Sequence, residues 1–492
     1  MRPSTLVRLA LAGTRTDAAR VVLTGFSACL AALGFLAALT VIAIPTVLND
    51  NNNTSPQYRN ALIAEPGLRP GVVFALVLLT VPVLALAGQC ARLGAPARDR
   101  RLSAIRLAGA TPGQAVTIAA TETGVASALG ALAGLGVYFG GRELLHRPGA
   151  DGTLPLPTDV LPPSWVLAAV CAGIPVLSAL VTAVLLRRVA VTPLGVVRRV
   201  RTNRPKPWPG VLIALGIGTM AVILPLQRRY ENLPGEAFLL LVLFALLAAT
   251  AGAVLGTAWI SYGTGQLLHR FARRPAALLA ARRLMADPWN GSRTMAALLG
   301  CLVFAAGAAG VREGFATDFA LQDEMNRRSA EAEGATFSGP QDTDFYFRAF
   351  DLTTVAITVG LVIAAGGLVV ALAESIVSRR RAYAALVATG VPRGTLARAV
   401  AWQTLAPAVP GVLIALMTGA GLARGLFSDV RANDYSPCGS GDCEPPEVVR
   451  AVPVPLDDLA LYGAGALAAL LAVVGVGLLF LRASTAVEEL RV

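Results

Sequence analysis

Ten stretches of the chain are apolar for long enough to cross a bilayer, which takes about 20 residues at a rise of about 1.5 Å each. They fall at roughly 21–47, 71–91, 116–141, 164–186, 208–226, 238–262, 294–311, 352–377, 403–426 and 459–481. The fifth and seventh are the shortest. This pattern predicts an all-α polytopic membrane protein of about ten transmembrane helices. The first stretch is not read as a cleaved signal peptide. It starts some way into the chain, and its apolar run is longer than a signal's hydrophobic region.

Composition supports the membrane class. Of 492 residues, 55% are hydrophobic and 15% charged, against about 25% charged in soluble domains. Two histidines, His146 and His269, and one lysine, Lys206, leave little material for acid–base or Schiff-base chemistry. A net charge of +12 would point to nucleic acid in a soluble protein, but its distribution argues for a membrane instead. With the N-terminus inside, 29 of the 42 basic residues fall on the inner side, and 23 of the 30 acidic residues fall outside. Arg and Lys resist translocation and are held at the anionic inner leaflet. Both termini are therefore expected in the cytoplasm, with the chain in the cell membrane and no nucleic-acid partner. Cys29, Cys90, Cys171 and Cys301 lie in predicted spans. Cys438 and Cys443 lie in the last outer loop, in CGSGDC. A short Gly-rich ring on an oxidising side suggests a disulfide, with free thiols or half a metal site as the alternatives.

The chain repeats itself. RDRRLSAIRLAGATPGQ follows span two and RRRAYAALVATGVPRGT follows span eight, and they align without a gap at an offset of 281 residues. Arg100 falls on Arg381, Ile105 on Leu386, Gly109 on Gly390 and Glu122 on Gln403. Each half is then one lead helix plus a three-helix unit. Residues 1–200 form the first half, with its unit at about 71–200. Residues 201–275 carry the linking helices five and six. Residues 276–492 form the second half, with its unit at about 352–492. Six spans separate equivalent helices, so the halves are parallel repeats about an axis along the membrane normal.

Each repeated loop opens with basic residues and continues as a short helix with an apolar face, Leu102, Ile105 and Leu107 in one copy and Tyr383, Leu386 and Val387 in the other. It breaks at Gly109-Ala110-Thr111-Pro112 or Gly390-Val391-Pro392, where Gly lets the chain reverse and Pro can open a helix. Such an element lies at the cytoplasmic surface. One copy alone fits an interfacial helix without a partner; two copies in register favour a docking site used twice.

This pattern, an Arg, a Leu-bearing helix and Gly-Ala-Thr-Pro or Gly-Val-Pro between the first two helices of a three-helix unit, resembles the coupling segment of FtsX/MacB-type ABC transporter permeases. The ten-span layout with two units is similar to BceB-like permeases. The resemblance implies that Arg100, Leu102, Ile105, Gly109, Ala110, Thr111 and Pro112, with Arg381, Tyr383, Leu386, Gly390, Val391 and Pro392, contact an ATPase. Two departures stand out. The family usually has Glu after the Arg, where this chain has Arg101 and Ala382. Members of the MacB and BceB groups also carry a folded outer domain, whereas the longest outer loops here, about 312–351 and 427–458, are short of the size that folds unaided. The stretch around Phe315, Phe319 and Met325 can extend span seven as a helical stalk.

No nucleotide site is expected on this chain. A P-loop needs GxxxxGK[ST], and Lys206 sits in RPKPWPG. The chain is thus expected to be no enzyme and to hold no cofactor. The resemblance implies two copies of a cytoplasmic ABC ATPase, which bind ATP and Mg and dock at 98–114 and 379–395. Membrane lipid and a sensor or extracytoplasmic protein complete the expected partners. Glu122, inside span three, reads either as a proton or substrate contact or as a group hydrogen-bonded within the bundle. Its counterpart Gln403 cannot ionise, which favours the second. Gly130/Gly134 and Gly252/Gly256 predict close helix packing, and Pro82, Pro175 and Pro407 predict kinks. The leading expectation is the membrane subunit of an exporter or extractor of a lipid, peptide or antibiotic. The alternatives are an FtsX-like regulator of a cell-wall enzyme or sensor and, further off, a secondary transporter.

Overall fold

In hydrocarbon every backbone N–H and C=O must find its partner within the protein, and a helix does this within one segment. The computed structural model describes residues 15–45, 55–65, 109–190, 205–229, 235–334, 343–435 and 445–484, with isolated positions between 69 and 107 and at Gly339. Its elements, in chain order, are α1 (Arg15–Ile42), α2 (Ala61–Ala64), α3 (Pro112–Leu145), α4 (Ser164–Ala190), α5 (Pro209–Arg229), α6 (Gly235–Phe271), α7 (Pro275–Ala286), α8 (Pro288–Ala332), α9 (Asp344–Ser378), α10 (Arg380–Ala388), α11 (Arg393–Leu426), β1 (Asp429–Asn433), β2 (Glu447–Ala451) and α12 (Leu456–Ser484). Eight of the described helices, namely α1, α3, α4, α6, α8, α9, α11 and α12, are long and apolar enough to cross a membrane. The chain is an all-α polytopic membrane protein. The predicted fifth span is the shorter apolar helix α5, apolar over Pro209–Ile223. Most of the predicted second span lies outside the described residues, as does Pro82.

Two compact units divide the chain: residues 1–201, 362–386 and 479–492 form one, and residues 202–361 and 387–478 the other. In the first, α3 packs against α1 and α4. The approach of α1 is set by glycine. A Cβ on Gly130 would stand 2.0 Å from the carbonyl oxygen of Gly25, and one on Gly134 would stand 2.8 Å from that of Cys29. The predicted GxxxG contact is therefore real, and its partner surface is Gly25 and Cys29. A polar contact crosses the same pair of helices, with Thr40 Oγ1 2.7 Å from Tyr138 Oη.

The end of this unit away from the Gly109 turn is capped by its loops. Tyr58, Ile63 and Leu154 pack on Val41 and Ile44, and the Tyr58 hydroxyl donates to Asp159 at 2.7 Å. Arg69, 6% exposed, ties the loop together. Its Nε donates to Ile63 O at 2.8 Å, Nη1 to Ile44 O at 3.1 Å and Nη2 to Ser55 Oγ at 2.7 Å. A buried guanidinium is tolerated because its donors are engaged.

In the second unit, α8 and α11 form the tightest pair. A Cβ on Gly419 would stand 2.2 Å from Val303 O, and one on Gly310 would stand 2.4 Å from Ala423 Cβ. Gly252 sits against Pro209 and Ile213, so α5 lies close on α6, while Gly256 has Pro209 Cβ at an ordinary 3.7 Å. The amphipathic α7 buries Ala276, Ala277, Ala280, Ala281 and Leu284 against α6 and α11. Pro175 lies inside α4, and Pro407 and Pro410 lie inside α11.

The loops read as outer ones depart from expectation. Helix α8 has 45 residues, about 67 Å at 1.5 Å per residue, roughly twice the hydrocarbon thickness. It runs unbroken through Phe315 to Met325, long enough to form the stalk expected there. The loop at 427–458, read as too short to fold unaided, forms an antiparallel β1–β2 hairpin with Asp429 opposite Ala451 and Asn433 opposite Glu447. It folds because the stalk supplies the missing core: Leu321 and Met325 pack with Val430 and Val452. Ion pairs join the two parts. Arg450 and Arg328 both reach Glu324 at 2.5 Å, and Arg328 stands 3.6 Å from Asp434. At the stalk's base Phe315 meets Phe319, Tyr346, Phe350 and Phe427 with ring centroids 5.5–6.2 Å apart. Arg312 lies 5.6 Å over Phe347.

Candidate functional site

The candidate coupling segments are best described at the second copy. Helix α9 ends at Ser378, and after a turn at Arg379 the nine-residue α10 begins. Tyr383 is 2% exposed. Leu386 is half-buried. The chain reverses at Gly390, whose N–H donates to Val387 O at 3.0 Å and whose φ is +94°. Val391 follows, and Pro392, extended with φ −61° and ψ 137°, is the N-cap of α11.

The first copy makes the same turn. Gly109 has φ +93°. Thr111, with φ −70° and ψ 155°, caps α3, and Pro112 opens it. L side chains are strained at such φ values. A Cβ at either glycine would meet no atom within 4 Å, so conformation rather than space selects glycine at both positions. Ala110 is 8% exposed, while Leu107 is 85% exposed and stands as an apolar knob beside the turn. The helices that follow, α3 and α11, each have 34 residues, and both start and end 281 residues apart. Arg100, Leu102, Ile105 and the side chain of Arg381 lie outside the described residues.

The caps differ. In the first copy the Thr111 hydroxyl accepts from Gln114 N at 3.3 Å and Gln114 Oε1 accepts from Thr111 N at 3.0 Å, a capping box. Pro392 makes no side-chain cap bond. The T-x-x-Q spacing was legible in the sequence as a helix start, and sequence reasoning passed over it.

Glu122 is 8% exposed and sits ten residues into α3, about 15 Å from its first residue, deeper than the predicted span boundary implied. Gln403 is half-buried in α11. Cys438 and Cys443 lie outside the described residues, as does Cys90. Cys29, Cys171 and Cys301 are free thiols. Among the described residues no group of three His, Cys, Asp or Glu side chains converges to hold a metal.

Sequence reasoning also missed a groove between α6 and α11. It is about 620 Å³ in volume and is lined by Leu267, Phe271, Trp402, Leu405 and Val409 together with Arg398. Its residues come from two helices far apart in the chain, so no local signal marked it.

Residues 354–487 match the family model of the FtsX-like permease C-terminal domain. The matched stretch begins within α9, takes in α10, the Gly390 turn, α11 and the hairpin, and ends just past α12. No curated protein was found to match the chain. The chain is thus a multi-pass membrane protein whose C-terminal stretch is similar to FtsX-like permeases, a family that generally works with a partner ATPase.

Proposed function

We propose that this chain is the membrane subunit of an ATP-binding cassette transporter, driven by two copies of a separate cytoplasmic ATPase. Residues 1–200 and 276–492 are its two permease halves, and 201–275 are the linking helices. The two glycine turns carry the reading: φ of +93° and +94° at positions 281 residues apart, each leading into a helix of 34 residues. One of them lies inside the FtsX-like match. Five described glycines have positive φ, and the recurrence of that conformation at equivalent positions is expected of a duplicated contact. Each turn presents its segment to one ATPase, Leu107 and its neighbours in one copy and Val391 with Pro392 in the other. The chain lies in the cell membrane with both termini cytoplasmic, a reading supported by the asymmetry of its basic residues. It exports or extracts a hydrophobic or amphipathic substrate such as a lipid, peptide or antibiotic, and nucleotide and Mg bind the ATPase. Cys438 and Cys443, which lie between β1 and β2 in the sequence, close a disulfide. Glu122 is a buried structural group.

The test is stoichiometry and coupling. Native mass spectrometry of the co-purified complex is expected to show two ATPase subunits per chain. Gly109→Val and Gly390→Val are each expected to weaken recruitment or to uncouple hydrolysis from transport, and the double variant to abolish coupling. Full ATPase recruitment and transport by the double variant would reject the assignment.

A second reading is favoured by the stalk and hairpin. They form a small outer module locked to α8 by Glu324, Arg328 and Arg450. An FtsX-like regulator would use such a module to carry ATPase-driven motion to a cell-wall enzyme or sensor. Deleting the hairpin separates the readings, since the regulator loses its output while the transporter keeps transport.

A further inference from the structure

We propose that the groove between α6 and α11 holds one anionic phospholipid of the inner leaflet, with Arg398 as the partner of its headgroup. Three observations point to that occupant. The first is shape: a cavity of about 620 Å³ lies within the range of small-molecule pockets, about 300–1,000 Å³, and its lining is hydrocarbon except for Thr264 and Arg398. The second is length. From Arg398 to Val409 is 11 residues of α11, about 16 Å, close to half of a hydrocarbon core of about 30 Å. The groove is therefore one leaflet deep and matches an acyl chain laid along the helix.

The third is charge. Among the described lining residues Arg398 is the one ion. It sits at the end of the groove where α6 finishes at Phe271 and α11 begins at Arg393. Arg270, Arg273 and Arg274, all exposed, follow from the same end of α6. A guanidinium can donate two parallel hydrogen bonds to a phosphate. Trp402, 48% exposed, lines the groove one turn beyond Arg398, the depth at which an indole sits near the headgroups. A zwitterionic lipid would satisfy the apolar wall equally well, so the arginines are what select an anionic one. The groove shares α11 with the Gly390 turn, and occupancy would stiffen the first turns of the helix that the turn feeds.

The inference rests on the orientation proposed above, with this end of α6 and α11 facing the cytoplasm. The experiment uses the full chain without ATPase in bilayers of phosphatidylglycerol and phosphatidylcholine, brominated on one or the other. With Trp165, Trp208, Trp259 and Trp289 changed to Phe, Trp402 is the sole indole. Brominated phosphatidylglycerol is expected to quench it at a mole fraction roughly fivefold lower than brominated phosphatidylcholine, as one arginine near the surface implies. Arg398→Gln is expected to make the two lipids equal. Equal quenching by both lipids in the parent, or a preference that survives Arg398→Gln, overturns the proposal. If the single-tryptophan protein does not reconstitute, lipid retained by the wild-type chain is read by native mass spectrometry in the same mixtures. Selective retention of phosphatidylglycerol that Arg398→Gln removes supports the site, and unselective retention overturns it. A membrane-impermeant maleimide on Arg274→Cys reports the orientation separately.

Discussion

The two glycine turns and the loop-capped ends of the two units teach opposite lessons. At the turns, Gly109 and Gly390 differ by one degree in φ and lead into helices of equal length. At the loop-capped ends the described residues are built differently. One unit is closed by loops tied to Arg69 and to the Tyr58–Asp159 hydrogen bond. The other carries a helical stalk with a β-hairpin locked on it. A shared partner on one face would hold the two turns alike, while different tasks on the other would let the caps diverge. The proposed pair of ATPase contacts and the single outer module fit that division.

The largest effect is expected from the helix contacts that hold each unit. Gly130→Leu and Gly419→Leu push a side chain into carbonyl oxygens that stand 2.0 Å and 2.2 Å from the ideal Cβ. Backbone lies opposite in both cases, so the helices must separate, at a cost of roughly 3 kcal/mol or more. Thermal unfolding in detergent measures it, and a loss below about 1 kcal/mol would show the packing to be looser than described.

Next comes the first unit's outer cap. Arg69→Met leaves the carbonyls of Ile44 and Ile63 and the Ser55 hydroxyl without that donor, at a cost of roughly 2–3 kcal/mol confined to the loop. Faster proteolysis at residues 55–65, with the hairpin of the other unit unaffected, is the expected signature. Opening of both loop-capped ends together would break the contrast between them.

The caps at the turns give a smaller and more pointed test. Thr111→Ala removes half of a capping box and is expected to cost α3 about 1 kcal/mol. Pro392→Ala removes no side-chain cap bond and is expected to leave α11's start nearly as stable. Hydrogen exchange of the first turns reads both. Equal losses would mean that capping does not distinguish the copies.

The smallest effect is a titration. Burial, reinforced by the hydrogen bond to Asp159, pushes the Tyr58 phenol up from 10.0 to about 12. A phenol whose folded pKa is raised contributes stability that is complete below pH 10 and is lost as pH rises toward 12. The phenolate absorbance of wild type minus Tyr58→Phe is therefore expected to rise near pH 12. A rise near pH 10 would place Tyr58 in water.

How much of this was readable in advance depended on whether the cause was local. The spans were legible because each is a run of apolar residues, although the helices outlast those runs. Helix α11 begins at Arg393 rather than 403, and α6 continues to Phe271, because helical hydrogen bonding continues through polar residues once a helix is nucleated. The Gly109 and Gly390 reversals were legible from Gly followed by Pro. The hairpin was not, because β1 and β2 are half polar (DVRAN and EVVRA) and draw their core from Leu321 and Met325, more than a hundred residues earlier. Arg69 read as one more outer charge, and its burial depends on carbonyls from Ile44 to Ala64. Gly130 read as a packing position, but its partner Gly25 carried no mark.

By itself the order of residues determined the membrane class, the helical spans and the places where the chain must reverse, since each follows from the solubility and backbone freedom of neighbouring residues. Only the tertiary structure decided which glycine meets which carbonyl, that a short loop could become a hairpin on a stalk, and that Arg398 stands at the mouth of an apolar groove. Those outcomes are set by surfaces from distant segments meeting, and the free energy of such a contact belongs to neither segment alone.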